Sequence, residues 1–193
     1  MELIINLMIE VKPTKGNLLF AEPTIIGDMS FNRSVILLTN HSKEGSIGFI
    51  LNKPLQFTIS DLIPEIEISF KVYNGGPVEQ DNLYFIHKSP KLIPNSIEIS
   101  NGIFWGGHFE TVVKLIKNRQ IQPKDIKFFL GYSGWDYNQL EEELKTNAWI
   151  VSKNIYKQDI IEKEDKFFWK NKMVELGGDY SIWSNAPENP SYN

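Results

Sequence analysis

Residues 128–144 read FFLGYSGWDYNQLEEEL, an apolar run that ends in a glycine-flanked serine and then opens into a helix-forming segment. In hydrolases with a nucleophile elbow, G-x-S-x-G occupies a sharp turn between a strand and a helix and exposes the serine to a histidine base. Here the second glycine comes one position early, and Trp135 stands where it is expected. We therefore predict a strand over 127–130, a turn at 131–135 and a helix over 139–145.

Ser133 is the candidate nucleophile of this stretch, and it would need a histidine and an acid as partners. All three histidines, His41, His87 and His108, precede it in the chain, whereas in the α/β-hydrolase order the acid and the histidine follow the serine. Convergent triads ignore chain order. A spatial triad of Ser133 with His87 or His108 is therefore kept as the less favoured alternative.

The favoured interpretation of the same stretch is structural. Gly131 and Gly134 permit tight backbone geometry, Trp135 fills the core, and Asp136 or Asn138 caps the helix that follows. None of these roles requires a substrate.

The bulk composition predicts one globular domain with a tail. A chain of 193 residues is long for one small domain and short for two, and its 41% of hydrophobic residues can supply a core. The chain contains no cysteine, which excludes disulfides, thiolate zinc sites and cysteine nucleophiles. A cytoplasmic location fits this composition.

The charge balance argues against direct binding to nucleic acid. The formal net charge is −4, whereas a domain that grips a phosphate backbone usually carries a clustered basic face. The densest group of lysines alternates with acidic residues and is typical of a solvated helix face. The group comprises Lys163, Lys166, Lys170 and Lys172, interspersed with Glu162, Glu164, Asp165 and Glu175.

The N-terminal segment is apolar but short. MELIINLMIEV, residues 1–11, does not reach the roughly 20 apolar residues that a transmembrane helix needs, and it lacks a basic region and a small-residue cleavage site. We expect neither a signal peptide nor a membrane anchor. Residues 1–15 are predicted as an N-terminal extension packed on the main domain.

Apolar runs bounded by Gly, Pro, Asn and Asp predict a strand-rich chain with inserted helices. Regular βαβ alternation is absent, so a mixed α+β sheet is expected rather than a doubly wound parallel one. Pro54 is expected to end the pairing of the third strand, because proline has no amide hydrogen for the ladder. The predicted strands cover residues 16–21, 34–39, 48–51, 71–73, 83–87, 97–99, 127–130 and 148–151, and the predicted helices cover 58–63, 108–118, 139–145 and 159–176.

No cofactor and no metal site is predicted. The histidines lie dozens of residues apart, without the short spacings of zinc or iron sites. Gly75-Gly76-Pro77 and Gly106-Gly107-His108 are glycine turns, which can hold an anion at a helix N-terminus, but neither has the ending of a phosphate loop or a dinucleotide fingerprint. Glu141–Glu143 are predicted as surface and capping residues, since successive helical side chains point about a hundred degrees apart.

Four ordered motifs cover most of the chain. They are GNLLFAEP (16–23) with FNRSV (31–35) and EGSIGFILNKP (44–54); VYNGGPV (72–78) ending in FIH (85–87); GYSGW (131–135) with QLE (139–141), Glu143 and AW (148–149); and PENPSYN (187–193). Together they resemble the YqgE/AlgH family of bacterial proteins. The family usually has alanine at the position of Ser133, which argues against a nucleophilic serine. Met29 replaces a usual proline, and Asn82 replaces a usual arginine.

The resemblance implies a single α+β domain over residues 16–193, in which a mixed, bifurcated β-sheet curls into a pseudo-barrel with flanking helices. Residues 155–193 are predicted to form a C-terminal helix and a proline-containing tail. The resemblance also implies a bacterial, cytoplasmic protein. Family members are commonly described as transcriptional regulators on genetic grounds, and they offer no catalytic residues to carry over.

We predict a non-enzymatic cytoplasmic regulator that acts through protein partners, without membrane contact and without a specified oligomeric state. If it acts on transcription, we expect the effect to be indirect, through a partner. The alternative is a small-ligand-binding protein or hydrolase-like enzyme whose separated motifs meet in one cleft. The candidate surface centres on the area framed by Tyr132, Trp135 and Gln139. Its ten residues are Arg33, His41, Asn52, Gly75, Gly76, Pro77, His87, Tyr132, Trp135 and Gln139.

Overall fold

The computed structural model describes residues 11–23, 30–163 and 167–186. Most of the predicted N-terminal extension, the departure at Met29 and the tail motif at 187–193 lie outside the described residues.

Strands dominate the described part of the chain, and helices are inserted between them. In chain order the elements are β1 (Leu18–Ala21), β2 (Val35–Ser42), β3 (Gly45–Ile50), β4 (Pro54–Thr58), α1 (Ile59–Leu62), β5 (Lys71–Asn74), β6 (Val78–His87), β7 (Ile97–Ser100), β8 (Ile103–Trp105), α2 (Phe109–Lys117), β9 (Ile126–Trp135), α3 (Gln139–Lys145), β10 (Trp149–Ser152), a 3-10 helix (Lys157–Ile161), α4 (Phe168–Leu176) and α5 (Gly178–Trp183). The predicted α+β class is confirmed.

The GYSGW segment continues strand β9, so the prediction of a turn at 131–135 is wrong. Gly134 pairs with Ile47 of β3, and Trp135 pairs with Ser46. Gly131 has a φ of +69°, which bends the strand locally without reversing it, as a glycine at a bulge does. Helix α3 begins only at Gln139, after a short connection.

The sheet branches along β9, which confirms the prediction of a mixed, bifurcated sheet. One edge of β9 pairs with β6 in antiparallel fashion, from Tyr132 back to Ile126. The other edge is divided: residues 128–130 pair in parallel with β5, and residues 133–135 pair antiparallel with β3. Within the described residues the strand path is open, with β10 and β7 at its ends, so the curl into a pseudo-barrel stays a prediction.

Successive side chains of β1 and β2 point to opposite faces of the sheet, and both faces carry an apolar layer. Leu18 and Phe20 pack into one cluster, with α4. Leu19 packs into another on the opposite face, together with Trp135 and Leu140 of α3. A third cluster lies among β5, α2 and the first half of β9. Trp135 is 4% exposed, which confirms its predicted place in the core.

Three local predictions need correction. Strand β3 ends at Ile50, before Pro54 is reached, so Pro54 does not end it, and Pro54 instead begins a short strand, β4. Proline is tolerated as the first residue of a strand because it does not need to donate a ladder hydrogen bond there. Strand β8 was not predicted, since three residues carry too little periodicity. The single helix expected over 159–176 is divided into the 3-10 helix and α4, and α5 follows Gly177.

Candidate functional site

The Gly75-Gly76 turn lies against β9 where the sheet branches. A Cβ atom on Gly75 would stand 2.2 Å from the carbonyl oxygen of Gly131, and one on Gly76 would stand 2.3 Å from the carbonyl carbon of Tyr132. A Cβ on Gly131 would in turn meet the Gly76 oxygen at 2.6 Å. We call Gly75, Gly76 and residues 131–134 the branch point. Its glycines are explained by backbone contact, without a ligand.

Ser133 is held inside the branch point. Its side chain is 0% exposed, and its hydroxyl donates a hydrogen bond of 3.0 Å to the Gly75 carbonyl. His87 pairs with Ile126 at the start of β9, so it lies roughly 20 Å from Ser133 at about 3.3 Å per residue. His108 follows β8, which pairs with β6 at this same distant end, and its Nδ1 lies 2.8 Å from the Thr111 hydroxyl. The spatial triad considered above is not formed.

His87 has a structural role. It is fully buried; its Nδ1 accepts the Ser89 amide hydrogen at 3.1 Å, so Nε2 carries the proton and donates to the Gly106 carbonyl at 3.1 Å. Burial lowers the pKa of His87 below its usual 6.5, which outweighs the opposing effect of the Gly106 bond. The ring is therefore neutral near pH 7 and joins β6 to the turn after β8.

Arg33 and Asn52 form a second structural group. The Asn52 amide accepts the Val35 N–H at 2.8 Å and donates to the Arg33 carbonyl at 2.9 Å. The Arg33 guanidinium lies 5.2 Å from the centre of the Trp169 ring and donates to the Ala186 carbonyl. These contacts fasten the C-terminal helices to the start of β2.

Trp135 and Gln139 meet at a carboxylate that the sequence predictions missed. Glu143 Oε2 accepts hydrogen bonds from the indoles of Trp135 at 2.8 Å and Trp149 at 2.6 Å, and Oε1 accepts from Gln139 at 2.8 Å. Gln139 also accepts the Asp136 N–H at 3.0 Å. The signal was the i, i+4 spacing of Gln139 and Glu143 on one helix face, which the prediction of a surface glutamate overlooked.

The surface framed by Tyr132, Trp135 and Gln139 does not exist as one face. Tyr132 packs edge to face on Tyr84 and belongs to the cluster on the α4 side of the sheet. Trp135 stacks on Phe31 under α3, on the opposite side. Successive side chains of a strand point to opposite faces, so positions 132 and 135 are separated by the sheet itself.

The ten candidate residues are therefore divided among four places. His41 joins Trp135 and Gln139 beside α3, where its Nδ1 lies 2.8 Å from the Ser46 hydroxyl and its Nε2 lies 3.8 Å from Glu141. The branch point contains Gly75, Gly76 and Tyr132, and Pro77 is next in the chain. Arg33 and Asn52 lie together at the start of β2. His87 lies opposite the start of β9, away from the other candidates. A single cleft is not formed among them.

A pocket of about 210 Å³ lies at the start of β5 and β9, and it contains a buried lysine that the sequence predictions missed. Lys127 is 4% exposed, and its Nζ donates to the Lys163 carbonyl at 2.9 Å and lies 4.2 Å from the Tyr73 ring centre. The sequence signal that could have identified this buried lysine is its position within the apolar run IKFFL, residues 126–130.

Lysines gather around two neighbouring concavities at the end of β10. One, of about 460 Å³, lies between the N-terminal segment and the residues after β7 and β10; the other, of about 130 Å³, lies between β1, β10 and α4. Both include Lys153. We call this surface the lysine face and define it by its five lysines. They are Lys12, Lys15, Lys153, Lys163 and Lys172.

Comparison with known proteins gives the family. A family profile described as AlgH-like matches residues 18–181. The chain belongs to the AlgH-like family. The resemblance found in the four motifs is thereby confirmed.

AlgH-like relatives extend over the same length as this chain. A UPF0301 protein from Bacteroides thetaiotaomicron is 40% identical over 187 residues, which cover 95% of this chain and 93% of the relative. A UPF0301 protein from Cytophaga hutchinsonii is 39% identical over 183 residues, which cover 93% and 99%. The names of these relatives state no activity, so AlgH-like membership leaves the function to be inferred from the surface of the chain itself.

Two solved structures share the AlgH-like fold. The solution structure of the AlgH protein from Pseudomonas aeruginosa has a TM-score of 0.68 at 24% identity and covers 93% of this chain and 98% of that one. A crystal structure of a protein from Corynebacterium diphtheriae has a TM-score of 0.73 at 20% identity and covers 93% and 95%. At these identities the likeness shows the fold alone.

The described residues contain neither a candidate membrane-spanning helix nor a candidate metal cluster. Within these residues no helix combines the length and apolarity needed to cross a bilayer. Across residues 11–23, 30–163 and 167–186, no three His, Asp or Glu side chains are grouped as ligands of a metal ion.

Proposed function

We propose that this AlgH-like protein is a non-enzymatic cytoplasmic regulator that acts by binding another protein, and that any effect on transcription passes through that partner. The observation that carries the proposal is exposed apolar surface on the C-terminal helices. Val174 of α4 is 54% exposed, and Ile182 and Trp183 of α5 are 71% and 41% exposed. Helices α4 and α5 pack against each other, and apolar surface exposed on such a pair of helices is a candidate interaction surface.

The polar groups of the motifs support the same proposal, because the fold itself uses them. The Ser133 hydroxyl, both nitrogens of the His87 ring and the Asn52 amide each bond to backbone groups. Buried polar groups that are satisfied in this way stabilise the fold and are not poised for proton transfer. The alternative of one catalytic or ligand-binding cleft loses support, because its proposed members lie in four places.

The proposal is tested by affinity capture with the full chain from native bacterial cytosol, with and without nuclease treatment. We expect a specific protein partner that survives nuclease treatment and that Ile182→Asp loses. Leu92→Asp is the matched control, since Leu92 is also exposed, at 43%, but lies after β6. Tight, salt-sensitive binding of the purified protein to duplex DNA would overturn the indirect route.

A further inference from the structure

From the lysine face we infer that the partner is recognised through an extended acidic segment, bound along the end of β10 between the N-terminal segment and α4. Because it supplies the contact for a protein partner, this assignment rests on the function proposed above. Four features of the face carry it: its charge, the contact of two of its ammonium groups with aromatic rings, an exposed apolar residue among the lysines, and the strand edge beside it.

The charge of the lysine face opposes that of the whole chain. The chain carries a net charge of −4, yet the two concavities contain five lysines and, among the described residues, one carboxylate, Glu175. Glu175 pairs with Lys172 at 2.7 Å. A local concentration of one sign of charge in a concave surface attracts and orients a ligand of the opposite sign.

The lysines come from separate parts of the chain. Lys12 and Lys15 precede β1, Lys153 follows β10, Lys163 follows the 3-10 helix and Lys172 lies in α4. A single lysine at an edge strand commonly serves to prevent aggregation, and this explains Lys153 alone. It does not explain why lysines that are distant in sequence are brought to the same two concavities.

Two of the ammonium groups are held in place by aromatic rings. Lys163 Nζ lies 4.5 Å from the ring centre of Tyr156 and 4.8 Å from that of Phe168, and Lys172 Nζ lies 5.9 Å from the ring centre of Phe20. Such contacts are attractive and limit the freedom of the side chain. Less conformational entropy is then lost when an anionic group binds.

An exposed apolar residue lies among the lysines of the smaller concavity. Ile155 is 76% exposed and lines the smaller concavity together with Lys153 and Lys163. An apolar centre surrounded by a polar rim is the usual anatomy of a protein-protein contact. The expected segment therefore combines carboxylates with an aliphatic side chain that covers Ile155.

The edge of the sheet beside the face suits an extended backbone. β10 is the terminal strand of the path and pairs with β1 alone among the described strands. Its last residue, Ser152, lines the smaller concavity. An extended segment can add main-chain hydrogen bonds to such an edge while its side chains reach the lysines.

The same features favour an acidic peptide over a single-stranded nucleic acid. Sequence-tolerant binding of single strands relies on aromatic rings on which bases stack. Here the Tyr156 and Phe168 rings are covered by the Lys163 ammonium, and Phe168 is buried. The aliphatic Ile155 offers no stacking surface.

The test measures binding of a fluorescein-labelled peptide of alternating glutamate and valine to the full-length protein by fluorescence anisotropy, with a lysine-valine peptide as the charge control. We expect binding of the glutamate-valine peptide alone, weakening as salt rises. Lys15→Glu combined with Lys153→Glu should weaken it about tenfold or more. Ile155→Ser should weaken it by roughly fivefold.

The matched control is Lys43→Glu combined with Lys91→Glu, two exposed lysines outside the face, which gives the same net charge as the test variant. We expect wild-type affinity from it, and circular dichroism should show that both double variants are folded. Equal weakening by both pairs, equal binding of the two peptides, or tighter binding of an oligothymidine than of the glutamate-valine peptide would each overturn the assignment.

Capture from cytosol separates this assignment from the proposed function. If the wild type and the Lys15→Glu, Lys153→Glu variant retain the same protein partner equally, the partner binds elsewhere: the lysine face is wrong and the proposed function stands. If the glutamate-valine peptide binds as expected but no protein partner is captured, the face is supported and the proposed function fails.

Discussion

The branch point and the lysine face differ in how their polar groups are used. At the branch point the Ser133 hydroxyl is buried and bonded to the Gly75 carbonyl, and three glycines are fixed by backbone contact. On the lysine face, four of five lysines have no recorded carboxylate partner within the described residues. The conspicuous motif therefore marks architecture, and the surface fit for binding has no motif at all.

Substitution can test this difference, because the two regions should respond in opposite ways. Changes at the branch point and its Trp135 anchor should lower the free energy of unfolding. Changes on the lysine face should alter binding and leave stability almost constant.

The largest effect is expected for Trp135→Ala. The indole is 4% exposed, stacks on Phe31 and donates to Glu143, so its loss leaves a large cavity under α3. The free energy of unfolding should fall by about 3–5 kcal/mol, measured by urea denaturation. Trp183→Ala, on the exposed side of α5, serves as the control and should change it by less than about 1 kcal/mol. Similar stability of the two variants would contradict a structural role for GYSGW.

Gly75→Ala should follow, with a loss of about 3 kcal/mol. The new methyl group would meet the Gly131 carbonyl oxygen at 2.2 Å, and Gly75 cannot move away freely because its backbone is hydrogen-bonded to Leu130 and Ile50. The control is Gly106→Ala, because Gly106 has a φ of +67° and open space around it; its cost, about 1 kcal/mol, comes from the left-handed backbone alone. If thermal unfolding ranks the two variants the other way, close backbone approach is not what fixes the branch point.

Substitution of Glu143 should lower the free energy of unfolding by an intermediate amount, and it tests how Trp135 is held in place. Glu143→Leu leaves the indole N–H groups of Trp135 and Trp149 without their acceptor, at a cost of about 3 kcal/mol. Glu143→Gln retains one acceptor oxygen and should cost about 1 kcal/mol. Indole fluorescence during urea unfolding reports both the stability and the environment of the rings. A surface glutamate, as first predicted from the sequence, would give two neutral variants.

The sequence predicted those parts of the fold that depend on local pattern. Helix α2 was expected over 108–118 from its apolar stripe and extends over Phe109–Lys117, and the mixed, bifurcated sheet followed from the family motifs. The path of β9 was not predictable in this way. Local sequence alone predicts a turn at a glycine-rich segment such as 131–134. Gly131 lies inside a strand only because β9 pairs with β3 and β6.

The candidate residues were predicted less well, for a related reason. Residue type identified side chains that could perform chemistry, such as Ser133 and His87. The hydrogen bonds that these side chains make to the Gly75 and Gly106 carbonyls depend on the tertiary structure, which the sequence does not display. Lys15 and Lys153 carry no local signal in the sequence. They become a common surface only because β1 and β10 are paired.

Ser133→Ala should have a small effect, about 1 kcal/mol or less. Removing the hydroxyl leaves no unsatisfied acceptor, because the Gly75 carbonyl also accepts the Ile50 N–H at 3.0 Å, and alanine fits the same small space. Differential scanning calorimetry gives the stability, and capture from cytosol gives partner binding, which should be retained. Loss of the partner from a variant of unchanged stability would place function at the branch point after all.

The smallest change in stability is expected for Lys15→Glu combined with Lys153→Glu. Both side chains are exposed and, within the described residues, make no recorded ion pair, so reversal removes no bond of the folded state. The free energy of unfolding should stay within about 0.5 kcal/mol of wild type and can rise slightly, because repulsion among the five lysines is relieved. Urea denaturation at low and at high salt separates the electrostatic part of any change in stability from the part that comes from lost packing. Salt screens only the electrostatic part. A loss of several kcal/mol at either salt concentration would mean that the lysines hold the fold together, and the two regions would then differ in degree rather than in kind.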